Sequence, residues 1–179
     1  MPPSALPGAV TPLIPADALA ERVAAMGRDI AAAMPGDVTM VALLKGGFVF
    51  AADLMRALGA AGIDARVEFI RLSSYGGGKE SSGTVVLVGP MPEGLKGRRV
   101  LIVDDIADSG RTLSYVRQLM LDAGAVEVRI AALLDKPSRR VIPVPVDFIG
   151  FSVEDVFVVG YGIDYAEGYR YLPFIGVVE

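Results

Sequence analysis

The segment Val100–Thr112, VLIVDDIADSGRT, concentrates residue types that could do chemistry. An apolar run ends in two carboxylates, Asp104 and Asp105. A third, Asp108, follows, and Ser109-Gly110-Arg111-Thr112 then opens a helical stretch. Small residues at a helix start expose backbone N–H groups and the positive end of the helix dipole to an anion. Asp108–Thr112 therefore reads as a cradle for a monophosphate. Asp104 and Asp105 beside it are suited to accept hydrogen bonds from a diol, so the ligand that fits is a phosphorylated sugar. The bland alternative is a decorated strand–turn–helix junction with Asp108 as a plain N-cap. Against it, three carboxylates so close together repel one another unless a cation or a donor-rich ligand sits among them. The segment matches neither G-x-x-x-x-G-K-[ST] nor G-x-G-x-x-G.

Composition narrows the chemistry further. The 179 residues include no Cys, no His and no Trp. Thiolate and imidazole catalysis, disulfides and nitrogen- or sulfur-ligated metals are thereby excluded. Proton transfer falls to Asp, Glu, Lys, Tyr or the substrate. A metal site would be built from oxygen, which points to Mg²⁺, Mn²⁺ or Ca²⁺. Lys+Arg number 17 and Asp+Glu 21, for a net charge of −4, a balance that argues against broad nucleic-acid binding. Although 53% of residues are hydrophobic, the runs Val38–Leu44 and Val156–Ile163 fall well short of the ~18–20 residues of a membrane span. Pro2, Pro3, Pro7, Pro12 and Pro15 spoil a signal-type helix. The expectation is a cytoplasmic protein with no membrane or nucleic-acid partner. Its apolarity fits strands buried on both faces and a homodimer or homotetramer.

The elements that must position these residues follow from periodicity and turn signals. Residues 1–16 read as an extended Pro-rich arm. Asp17 is expected to cap a helix whose buried face is Leu19, Val23, Met26, Ile30 and Ala33, stopped at Pro35-Gly36. Val38–Leu44 reads as a buried strand, Phe48–Leu58 as a helix and Arg66–Leu72 as a strand. Ser73–Gly83 is Gly/Ser-rich without periodicity and is expected to be a mobile loop. Thr84–Val88 and Val100–Val103 read as strands and Arg111–Ala123 as a helix. Val126–Leu134, Val146–Gly150 and Val156–Gly160 read as further strands, and Tyr161–Glu179 as irregular. Such alternation implies one domain, a mainly parallel α/β sheet with helices on both faces. The N- and C-terminal segments are placed as a small hood.

The chain resembles the type I phosphoribosyltransferases, whose signature for 5-phosphoribosyl-1-pyrophosphate (PRPP) has the form of Val100–Thr112. Four further stretches resemble the hypoxanthine-guanine branch: Leu44-Lys45-Gly46-Gly47, Ser74-Tyr75, Leu134-Asp135-Lys136 and Phe157–Arg170 (FVVGYGIDYAEGYR). The resemblance implies the type I fold and transfer of the phosphoribosyl group from PRPP to N9 of hypoxanthine or guanine, with Mg²⁺ as cofactor.

It also implies roles. Asp104 and Asp105 bind the ribose hydroxyls, Asp108 is the acid/base at purine N7, and Asp108, Ser109, Gly110, Arg111 and Thr112 hold the 5′-phosphate. Leu44, Lys45, Gly46 and Arg170 meet the pyrophosphate, with a cis peptide at Leu44-Lys45 for which Gly46-Gly47 leaves room. Ser74 and Tyr75 belong to a lid. Lys136 donates to O6, Phe157 stacks on the ring and Val158 contacts the base through its backbone. Asp164 lies at the base and helps hold the metal, together with Asp104 and Asp105. Arg98-Arg99 and Arg139-Arg140 are expected to be solvated and without a role. Two other readings share the motif: a nucleotide-sensing, RNA-binding regulator of the same fold, and a xanthine-preferring enzyme.

Overall fold

The structure is a computed structural model that describes residues 8–75 and 84–178. In chain order its elements are β1 (Val10–Ile14), α1 (Ala16–Ala33), β2 (Val38–Leu44), α2 (Phe48–Ala60), β3 (Arg66–Tyr75), β4 (Thr84–Val88), β5 (Arg99–Ala107), α3 (Arg111–Asp122), β6 (Glu127–Asp135), a 3₁₀ turn (Pro137–Arg139), β7 (Phe148–Ser152), β8 (Val158–Val159) and β9 (Ile175–Val178). Six strands form one sheet in the order β4-β3-β2-β5-β6-β7. All its pairings are parallel except β3 with β4.

The alternation of side chains along the central strands explains why they are apolar throughout. On one face Val38, Met40 and Ala42 of β2, Leu101 and Val103 of β5, and Ala131 and Leu133 of β6 pack with α1 and α2. On the other, Val41 and Leu43, Val100 and Ile102, and Ile130 and Ala132 pack with Leu113, Val116 and Met120 of α3. A strand covered on both sides has no polar face to show. Gly27 lets the two helices approach: a Cβ there would lie 2.7 Å from Ala57 Cβ.

Three expectations about the ends of the chain are corrected. Helix α1 begins at Ala16 with Pro15 as N-cap, and Asp17 sits in its first turn. The proposed arm is in part a strand, because β1 pairs antiparallel with β9. The tail is likewise not wholly irregular: β9 also pairs with β8, which closes a three-stranded sheet β1-β9-β8. This small sheet joins N- and C-terminal segments, as the hood required.

Two strands run further than their apolar stretches. Tertiary pairing extends them: Ser73, Ser74 and Tyr75 of β3 lie opposite Val86, Val85 and Thr84, so the first part of the expected loop is strand. The remainder of that loop, residues 76–83, lies outside the described residues, as do residues 1–7 and 179. Likewise β5 continues through both carboxylates, with Asp104 opposite Ala132 and Ala107 opposite Asp135. No helix among the described residues is long and apolar enough to cross a membrane.

Candidate active site

The chain runs from β2 to β3 on one side and resumes at β5 on the other side of β2. That reversal makes the carboxyl ends of β2 and β5 a topological switch point, where open α/β sheets bind ligands. Nearly every residue singled out in the sequence is delivered there. Leu44-Lys45-Gly46 ends or follows β2, Asp104 to Thr112 follow or end β5, and Lys136 follows β6. The segment from Phe157 to Arg170 arrives from the small sheet.

Two cavities share this end of the sheet. The first, about 320 Å³, is lined among others by Leu44, Asp104, Asp105, Asp108, Ser109, Gly110 and Thr112. The second, about 490 Å³, is lined by Lys136, Arg139, Asp155, Phe157, Val158 and Asp164, again with Asp108. Ile106 and Asp108 line both.

One end of the first cavity is built by backbone geometry. Gly110 caps α3 in the left-handed region, φ +83°. A Cβ there would lie 2.2 Å from the Ile142 carbonyl oxygen, so the position needs glycine twice over. Ser109 is stitched to the far side of the site: its carbonyl accepts from the amides of Val141 and Ile142, both at 2.9 Å. Arg111 occupies the first helical position, where the amides of a first turn face outward.

Asp104 is 8% exposed. Burial and, next, the charge of Asp105 push its carboxyl well above the usual carboxylate range. The Asp105 carboxylate lies over Gly46: a Cβ on Gly46 would meet its Oδ2 at 1.7 Å. The Leu44–Lys45 peptide is cis.

A divalent cation fits this donor chemistry, since two hard oxygen-donor side chains, one of them buried, are crowded together. Among the described residues no three acidic side chains converge as a metal cage. Asp104 and Asp105 line the first cavity, while Asp164 lines the second and is already engaged. Its Oδ1 is 2.9 Å from Arg170 Nη2 and its Oδ2 accepts the Glu167 amide at 2.8 Å. Such sparse protein ligation suits Mg²⁺, which keeps water and substrate oxygens in its shell.

In the second cavity Lys136 is buried, 8% exposed, and its Nζ donates to the Val156 carbonyl at 2.7 Å. The Lys136 amide bonds to the Ala107 carbonyl, which seats it level with Asp108. Phe157 is 54% exposed and meets Tyr165 edge-on, centroids 5.3 Å apart. It is therefore a free aromatic face rather than a core residue, while Val158 next to it is buried. Ser74 and Tyr75 are strand residues by their backbone pairing.

Sequence reasoning missed several charges. Arg139 is not idle: its Nε donates to Asp108 Oδ1 at 2.7 Å and its Nη1 lies 3.3 Å from Asp155 Oδ2. Arg140 pairs with Asp135 and donates to the Ala107 carbonyl at 3.4 Å. Arg98 and Arg99 also have partners, Asp37 and the Pro35 carbonyl respectively. Glu167 receives Lys45 Nζ at 2.9 and 3.1 Å and lies 3.3 Å from Arg170 Nη2. Lys45 and then Arg170 lower its carboxyl below the usual range. Ala166, Glu167 and Tyr169 all have positive φ, the backbone strain that tends to collect at functional sites. The signal for Arg139 was its place one helical turn after Lys136; for Glu167 it was the motif that contains it.

Comparison with known proteins agrees with this geometry. A family model described as a phosphoribosyl transferase domain matches residues 16–166. The hypoxanthine phosphoribosyltransferase of Escherichia coli (strain K12) is 46% identical over 169 residues, 93% of each chain. A hypoxanthine-guanine phosphoribosyltransferase from Bacillus anthracis superposes with a TM-score of 0.87 at 38% identity, covering 94% of this chain and 98% of that one. The hypoxanthine phosphoribosyl transferase of Trypanosoma cruzi gives a TM-score of 0.89 at 32% identity, covering 99% and 95%. Fold, site and relatives together make the chain a member of the phosphoribosyltransferase family, in its hypoxanthine phosphoribosyltransferase branch.

Proposed function

We propose that the site transfers the 5-phosphoribosyl group of PRPP to N9 of hypoxanthine or guanine, forming the nucleotide and pyrophosphate. One observation carries the reading: Asp108 lies on the boundary of two cavities, one with a phosphate cradle and diol acceptors, the other with a buried lysine and an open aromatic face. A base in the second cavity and a sugar in the first would meet beside it.

In this reading the amides of 109–112 hold the 5′-phosphate, and Asp104 and Asp105 accept from the ribose hydroxyls. Lys136 donates to the O6 carbonyl, Phe157 stacks on the purine, and Val158 borders the base. Lys45, Arg170 and the backbone at Leu44–Gly46 face the pyrophosphate. Asp104, Asp105 and Asp164 are the residues that would hold Mg²⁺. That ion, when bound, supplies charge neutralisation for the departing pyrophosphate. As the C1–O bond breaks, the electron pair leaves with pyrophosphate, N9 forms the new bond to C1, and the N7 proton passes to Asp108. No covalent nucleophile is required. Phe48 and Phe69, exposed large hydrophobics beside Lys45 and Arg170, support a homodimer or homotetramer, which sedimentation velocity checks; a monomer would remove that part of the reading.

The test is a purified-protein assay with PRPP, Mg²⁺ and each of hypoxanthine, guanine, xanthine and adenine. Turnover of hypoxanthine and guanine, with adenine unused, is the expected result. Turnover of none of the four would overturn the proposal, and a preference for xanthine would reassign the base.

A further inference from the structure

We infer that Arg139 is the positioning residue of Asp108, and that it locks the proton acceptor to the wall that reads the base. The inference rests on the reading of Asp108 as acid/base given above. Asp108 is on a short loop, with its side chain 44% exposed. A carboxylate so placed turns freely about two side-chain torsions unless something holds it, and proton transfer requires a held geometry. Among the described residues, Arg139 is the side chain that hydrogen-bonds it, Nε to Oδ1 at 2.7 Å. Because that bond uses Oδ1, Oδ2 is left to face N7 and take its proton.

Arg139 is itself held from behind by Asp155 at 3.3–3.4 Å. The two segments that carry these partners are clamped a second time by Lys136 Nζ on the Val156 carbonyl. The Asp108 loop is clamped to the Arg139 segment as well, through the Ser109 carbonyl and the amides of Val141 and Ile142. Lys136 and Arg139 thus stand at the two ends of one short turn. The first is aimed at the base and the second at the acceptor. The charged groups that line the two cavities with Asp108 are Lys136, Arg139, Asp155 and Asp164 in the base cavity and Asp104 and Asp105 in the other. Four of these six are acidic. The guanidinium in direct contact keeps Asp108 in place.

The test is a double-mutant cycle read by steady-state kinetics with hypoxanthine. Asp108→Asn by itself should lower kcat by roughly 10²–10⁴. Arg139→Ala should lower kcat about 10- to 100-fold with KM for PRPP within about twofold, and Arg139→Lys should recover most of the loss. In the Asp108→Asn background, Arg139→Ala should change kcat by less than about twofold, because a residue that acts through another has nothing left to lose. Full, additive loss in that background would overturn the inference, as would a loss confined to the KM of the purine, which would make Arg139 a base contact. If Asp108→Asn left kcat unchanged, the acid/base reading itself would fall, and the inference with it. Circular dichroism of each variant separates these outcomes from misfolding, and a half-exposed Arg139 leaves the fold little to lose.

Discussion

Asp104 sits in a conflict that either a proton or a ligand resolves. Its carboxyl is buried and beside a second carboxylate, so it titrates higher in the folded chain than in the unfolded one. The sign follows: its stabilising contribution is complete below the unfolded pKa and is lost as pH rises through the raised folded value. At neutral pH the unliganded protein therefore carries a penalty that ribose hydroxyls and a cation would relieve. Asp104→Asn should raise the melting temperature of the unliganded protein at pH 7, by about 2–4 °C for each kcal/mol relieved. It should narrow the gap to wild type as pH falls and weaken PRPP binding. Scanning calorimetry across pH, with PRPP titrations, checks all three; a lower melting temperature at pH 7 would refute the account. Lys136 makes the complementary case. Its buried ammonium is matched to a carbonyl and mismatched to an exocyclic amine. Lys136→Ala should therefore reduce the hypoxanthine-to-adenine ratio of kcat/KM by about 10- to 100-fold. An unchanged ratio would mean that Lys136 does not read O6.

At the scale of elements, the site is a set of strand ends and the turns that follow them. The junction β5–loop–α3 works because one glycine allows a backbone that other residues resist. Gly110→Ala combines a left-handed φ, worth about 1–2 kcal/mol, with a Cβ driven onto the Ile142 carbonyl. The expected result is lower stability and a larger loss in PRPP affinity, since the loop must move away from the Ile142 segment. Chemical denaturation and PRPP binding measure the two effects; binding retained at wild-type strength would place the phosphate elsewhere. Most of these elements were legible in the chain. The bounds of β2 and β4 match their apolar runs, and α1, α2 and α3 follow their periodicity. What was not legible is where pairing carried a strand beyond its apolar core, as in β3 and β5. There the neighbour strand, not the local residue types, decides the end.

Across the whole molecule, the small sheet ties the chain's ends to the body. Ile175 of β9 is fully buried within the same core as Leu19, Met40 and Phe50, and it lines neither cavity. Ile175→Ala should cost about 2–5 kcal/mol, roughly 4–20 °C in melting temperature, while kcat at 25 °C stays near wild type. A melting temperature that did not move would show that the hood is not part of the cooperative core.

The sequence by itself determined the chemistry and its local scaffolds. Without His or Cys, imidazole and thiolate chemistry is excluded, and the types at the end of β5 specified a strand, a turn and a helix start, all interactions between near neighbours. Tertiary structure alone decided which charges meet. Arg139 and Asp108 are 31 residues apart and Lys45 and Glu167 are 122 apart, so their pairing depends on the order of strands in the sheet. The same holds for Phe157, apolar by type and open by position, and for β9, too short to announce itself until β1 and β8 supply its hydrogen bonds.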